Sequence, residues 1–162
     1  MITIRRFSPE DQKAVCELIT QIMNEEFHED AAVYPTDDID HVDTSYGGLG
    51  EAFFVAINGN HKVIGTVAIK KEDERVALLR RLFVSKNHRN QQIGKKLMDR
   101  ALQFCDEVGY EEIIFKTTSR MTGAISVCQK SGFVQRARIN LGVTELLKFS
   151  LSLAHGVGAA KK

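Results

Sequence analysis

Cysteine is scarce in this chain of 162 residues: Cys16, Cys105 and Cys128 are the only three. They cannot all pair with one another, and their spacing fits no metal site, so neither a disulfide framework nor a bound metal is expected. A reducing cytoplasm is the expected compartment. Long apolar runs are also missing. None approaches the ~20 residues of a membrane helix, so no membrane partner is expected. The opening MITIRRFSPED reads as a strand and a helix start, without the apolar core of a signal peptide. The net charge is only +1, which counts against nucleic acid as the main partner. Hydrophobic residues at 43% and charged residues at 27% describe a soluble globular chain, long enough to bury one core. No repeat or linker divides it. Residues 1–151 are expected to form a single domain, and the small, polar residues 152–162 a flexible tail.

The most local absence is of positive charge. No Lys or Arg lies between Ala14 and His61, where ten acids stand, from Glu17 to Glu51. Of 21 acids, eleven remain to face all 22 bases elsewhere. Two readings stay open: two solvated faces of opposite sign, or one pole for a polyanion and another for a cation.

Hydrophobic periodicity divides the rest. Ile2–Phe7 alternates, as a strand does. Ser8-Pro9-Glu10-Asp11 has a cap, a first-turn proline and an acid three residues after the cap. Val15, Leu18, Ile19 and Ile22 supply the apolar face of the helix that follows. Residues 24–50 read as an acidic, mobile segment with a short helix near Asp37–Ser45. Three strands are expected next, at Ala52–Ile57, His61–Lys70 and Arg75–Val84, with a hairpin turn at Asn58-Gly59-Asn60. Ile93, Leu97, Met98, Ala101, Leu102 and Cys105 mark one face of a helix that Gly109 ends. A strand at Glu111–Thr117, a helix at Met121–Lys130 and closing strands at Phe133–Ile139 and Thr144–Leu151 complete an α+β order. The closing strands are candidates for pairing in a homodimer.

Chemistry concentrates between Val84 and Leu97. A strand runs into a short polar loop, Arg89-Asn90-Gln91-Gln92-Ile93-Gly94, and then into a helix. The first amides of a helix lack internal partners and sit at the positive end of its dipole, so anions bind there. Lys86, Arg89, Lys95 and Lys96 add charge, and Gly94 removes a side chain from the approach. His88 reads as a solvated loop residue or a phosphate contact. An ordinary basic helix start would look similar.

Arg89, Ile93, Gly94 and Leu97, following a strand that ends in Val84, resemble the acetyl-CoA motif of the GNAT acetyltransferase superfamily. A second block, Ala124-Ile125-Ser126-Val127-Cys128-Gln129-Lys130-Ser131-Gly132-Phe133, is similar to that family's late helix. The resemblance covers roughly residues 1–150. It implies a mixed, mostly antiparallel central sheet with helices on both faces and a splay between the fourth and fifth strands. It implies an N-acetyltransferase in which an amine, small molecule or peptide, attacks acetyl-CoA directly in a ternary complex. The implied cofactor contacts are the backbone of Leu82, Phe83 and Val84, and the loop residues Arg89, Asn90, Gln91, Gln92, Ile93, Gly94 and Lys95.

The chain departs from the family at positions that matter. Asn90 and Gln92 stand where glycine is usual, Met121 where an Asn is usual, and Leu78 where many relatives have a basic Glu. Cys128 takes the place of the Tyr that donates a proton to the leaving thiolate. It reads as a small core residue, as a weak acid in catalysis, or as an acetyl carrier. Substitute bases are Glu72, Glu74, His28, His41 and Glu51, or a chain of water. These losses motivate an alternative, a non-catalytic CoA or acyl-CoA sensor.

Overall fold

The computed structural model describes residues 1–153. Seven strands form one sheet: β1 (Thr3–Arg6), β2 (Ala52–Ile57), β3 (Val63–Lys71), β4 (Val76–Val84), β5 (Glu112–Thr118), β6 (Val134–Leu141) and β7 (Thr144–Ser152). Their spatial order is β1-β2-β3-β4-β5-β7-β6, antiparallel throughout except for the parallel pair β4–β5. The helices are α1 (Gln12–Glu26), the short α2 (Val42–Ser45), α3 (Ile93–Val108) and α4 (Thr122–Lys130). The α+β class and the mixed, mostly antiparallel sheet are as the sequence implies. The expected tail at 152–162 lies outside the described residues beyond Leu153.

Local chemistry explains the elements. The Asp11 carboxylate accepts the Ser8 amide at 2.9 Å and pairs with Arg5 at 2.7 Å, tying β1 to the start of α1. Pro9 sits in the turn between them, where its missing N–H costs nothing. The Asn58 side chain accepts the amides of Asn60 and Lys62, so the hairpin loop extends further than expected and β3 starts at Val63. Gly109 closes α3 with φ +98°, a conformation that suits glycine.

Each face of the sheet has its own core. Leu97, Met98, Ala101 and Phe104 of α3 pack on Phe54, Ile64, Val67 and Leu79. Val15, Ile19 and Ile22 of α1 pack on Phe53, Val55, Ala68 and Phe83. Helices on both faces thus bury β2, β3 and β4.

Two irregularities in β4 place the site. The β4–β5 ladder runs only from Val76↔Glu112 to Leu79↔Phe115, whereas β5 stays paired with β7 as far as Thr118↔Leu146. Beyond Leu79 the two strands separate, which is the expected splay. At the same point β4 bulges. Thr66 faces Phe83 and Ala68 faces Arg80, so Arg81 and Leu82 share one position opposite Val67. Arg81 adopts φ +56°, and the Thr66 hydroxyl holds its carbonyl at 2.7 Å. Regular alternation would put Leu79, Arg81 and Phe83 on one face. The bulge instead leaves Leu79 and Leu82 in the α3 core and Phe83 in the α1 core.

Candidate active site

The splay opens into a cleft of about 780 Å³. Its walls are the end of β4, the loop into α3, the first half of α4 and the end of α1. Of the residues implied as cofactor contacts, Leu82, Phe83, Val84, Arg89, Asn90, Gln92, Ile93, Gly94 and Lys95 line the cleft, and Gln91 does not.

The loop is shaped to present amides. Asn90 and Gln92 have φ of +64° and +65°, the left-handed conformation that glycine takes without strain. The two departures from the family motif therefore keep the backbone that glycine would give. Asn tolerates this region, and Gln does so at about 1–2 kcal/mol. The Lys96 amide is the first to bond within α3, to the Gln92 carbonyl at 3.0 Å. No side chain caps the helix. The amides of Ile93, Gly94 and Lys95 are thus left for a ligand at the positive end of a 16-residue helix. A Cβ on Gly94 would meet Val127 Cγ2 at 3.2 Å, so glycine lets α4 close against this helix start. His88 Nδ1 is buried in the same loop without a hydrogen-bond partner. Uncapped amides, the narrow cradle at Gly94 and an orphaned ring nitrogen all suit a bound pyrophosphate.

Relief of strain at Gln92 is testable. Gln92→Gly removes the left-handed penalty and adds the entropy cost of glycine, about 0.5–1 kcal/mol. The expected net gain is about 0.5–1 kcal/mol in denaturant unfolding. A loss of stability would contradict this account of the loop.

Arg89 does not extend toward the helix mouth. Its guanidinium pairs with Glu26 of α1, with Nη2 at 2.8 Å from Oε2, and also donates to the Val84 carbonyl at 3.0 and 3.2 Å. Glu26 lines the cleft and did not stand out in the sequence. One signal was available: a carboxylate in the last turn of a helix opposes the helix dipole, so its placement there calls for a partner.

Cys128 lies away from the cleft walls. It is fully buried in the α3-side core, and burial pushes its thiol up to about 12. The neighbouring Ser126 and Val127 face the cleft, while the helical turn carries Cys128 toward the sheet. Met121 does line the cleft, and its sulfur accepts the Thr117 hydroxyl at 3.2 Å. The substitute bases lie elsewhere. Glu51 pairs with Lys70 and Glu74 with Lys71, and neither Glu72, His28 nor His41 lines the cleft. Among the described residues no group of three or more His, Cys, Asp or Glu could hold a metal ion. No described helix is long and apolar enough to cross a membrane.

On the α1 face, the bulge presents Arg81 to the acidic segment. Its guanidinium makes two bonds to Asp38, at 2.6 and 2.8 Å, and a third to the Pro35 carbonyl at 2.8 Å. Tyr46 donates to the same carboxylate, and the Tyr34 ring lies under the guanidinium at 5.1 Å. Burial pulls the Asp38 carboxyl up, but the hydrogen bonds and charge of Arg81 outweigh it and hold the group below the usual carboxylate range. Asp30, fully buried, likewise accepts from Thr118, Arg120 and Thr144. Four of the segment's ten acids, Glu26, Asp30, Asp38 and Glu51, are thus paired with Arg or Lys inside the fold, and the other six stay exposed.

Comparison with known proteins agrees with this architecture. Residues 16–133 match the family model described as the acetyltransferase (GNAT) family. N-acetyltransferase family 8 member 2 of Rattus norvegicus is 32% identical over 123 residues, which is 73% of this chain and 54% of that protein. The chain spans about half the length of the curated relatives it matches. A GNAT-family acetyltransferase from Staphylococcus aureus superposes with a TM-score of 0.80 at 24% identity, over 94% of this chain and 99% of its own. A GNAT superfamily phosphinothricin acetyltransferase from Sinorhizobium meliloti, solved in complex with acetyl-CoA, gives 0.79 at 17% identity over 97% of this chain and 91% of its own. The chain belongs to the acetyltransferase (GNAT) family.

Proposed function

We propose that the chain moves an acetyl group from acetyl-CoA to an amine by direct attack in a ternary complex. The observation that carries this reading is the uncapped start of α3 beside a β4 edge that has lost its strand partner. The amides of Ile93, Gly94 and Lys95 receive the pyrophosphate, with Lys95 and Lys96 adding charge. The backbone of Leu82, Phe83 and Val84 faces the gap left by β5 and takes the pantetheine arm as a strand would take a neighbour. Arg89 serves as a strap: it holds the end of α1 over the channel through Glu26.

The chemistry asks for little more. The neutral amine nitrogen bonds to the acetyl carbon and the carbon–sulfur bond breaks, with its electrons going to the CoA sulfur. The one described carboxylate lining the cleft, Glu26, is held by Arg89, and the one imidazole, His88, has its Nδ1 buried, so the amine's proton leaves through water. Cys128 supports this scheme as packing. Cys128→Ala is expected to keep kcat within about threefold and to lose about 1–2 kcal/mol of stability, as small buried truncations do. A hundredfold fall in kcat with stability intact would instead restore Cys128 as a proton donor.

A panel of amines, scored by release of free CoA thiol, tests the function. Acetyl-CoA should raise Tm by mass action, and at least one class of amine should yield thiol. Stabilisation by acetyl-CoA without release from any amine would favour the non-catalytic sensor, a reading supported by the engagement of Glu26 by Arg89 and by the position of Cys128 away from the cleft.

A further inference from the structure

A second cavity, of about 350 Å³, opens on the α1 side where β4 and β5 part. The parallel register pairs Leu78 with Ile114, so the next residues on this face across the gap are Arg80 and Lys116, and both line the cavity. Lys116 lies directly opposite Lys148 of β7. Three cations thus cross three strands at one level. Like charges facing each other across an antiparallel pair destabilise a sheet, and among the described residues none of the three has an ion-pair partner. The near carboxylate, Asp38, is already held by Arg81 and Tyr46. Asp37, the other acid of the lining, is exposed. Beyond Tyr34 and the paired Arg81, the remaining wall is apolar, with Pro35, Ile114 and Leu146 among its residues. This is a site of positive potential with an apolar floor, beside the β4 bulge, where Arg80 and Arg81 line this cavity and Leu82 and Phe83 line the larger cleft.

We infer that the acetyl acceptor is an amine that also carries an acidic group, held by Arg80 and Lys116, with Lys148 adding charge from the neighbouring strand, while its apolar part rests on the cavity wall. The inference rests on the acetyl-transfer reading and reverses the charge expected from the acidic segment. A cationic acceptor would find the cavity's inner carboxylate, Asp38, already engaged and this row repelling it.

The test separates the two readings. Acetyl-CoA is first titrated into the wild-type chain, and absence of binding would overturn the acetyl-transfer reading together with this one. CoA-loaded protein is then titrated with N-acetyl-L-phenylalanine and with its C-terminal amide, which mimic a product with and without the acid. The acid should bind at least about tenfold more tightly, as expected for a charge-assisted contact worth about 1.5–3 kcal/mol. Lys116→Gln, an exposed position without a hydrogen bond of its own, should remove most of that preference and leave acetyl-CoA affinity unchanged. Arg80→Gln should act likewise. Equal binding of acid and amide, no binding of either, or an undiminished preference in both variants would overturn the inference.

Discussion

Gly94→Asp should weaken acetyl-CoA binding about 100-fold with little change in stability. The new carboxylate would stand in the first turn of α3, among the amides of Ile93, Gly94 and Lys95 that no residue of the chain uses. An acid there is favourable to the helix by about 0.3–1 kcal/mol. Replacing glycine inside a helix adds up to ~1 kcal/mol. Against this stands the contact of the new Cβ with Val127 at 3.2 Å, which asks α4 to move by a few tenths of an ångström. Folding is thus near balance. Binding is not, because the side chain would occupy and neutralise the anion site, forfeiting charge-assisted hydrogen bonds of about 1.5–3 kcal/mol. Calorimetric titration with acetyl-CoA beside thermal melting reads both quantities. Unchanged affinity would mean that the pyrophosphate lies elsewhere.

Asp38→Ala is expected to have the largest effect on stability. Arg81 is 7% exposed, and its carboxylate partner is joined to it by two hydrogen bonds. Removing that partner leaves a buried, unpaired guanidinium, at a cost of about 3–5 kcal/mol. For a chain of this size that is a fall in Tm of roughly 10 °C. A loss below about 1 kcal/mol would mean that Arg81 reaches water. The pH dependence should follow. The folded carboxyl sits below its unfolded value near 3.9. Its contribution is therefore fully present above pH ~4 and is lost as pH falls through the lower folded value. Wild type should lose stability in acid more steeply than Asp38→Ala. Asp11 and Glu51, lowered in the same sense, account for the slope that the variant retains.

The comparison of sequence with structure divides along range. Strands and helices set by local alternation, such as Ala52–Ile57 or the face from Ile93 to Cys105, were legible because the pattern and its cause lie within a few residues. The helix mouth at Ile93 was legible for the same reason. The left-handed turns at Asn90 and Gln92 were visible only as departures from a motif, since their φ values depend on where α3 is pinned. The β4 bulge was not legible. It is fixed by the Thr66 hydroxyl on the Arg81 carbonyl, 15 residues away, and by Asp38, 43 residues away. Contacts of similar range pair Glu26, Asp30, Asp38 and Glu51 of the acidic segment inside the fold, which composition alone could not show. Cys128 was placed by its aligned position rather than by its helical face, and the face is what buries it.

The shortness of the β4–β5 ladder has a mechanical consequence. Among the described residues, four residue pairs, Val76↔Glu112 to Leu79↔Phe115, are all the strand pairing that joins the leaf β1–β4 to the leaf β5–β7–β6. The sheet is therefore a book bound only along part of its spine. An extended arm lying between Val84 and Thr118 would lengthen that binding and stiffen the molecule along one seam. The compliance of the protein would then be a property of its substrate load, soft between turnovers and stiff within them.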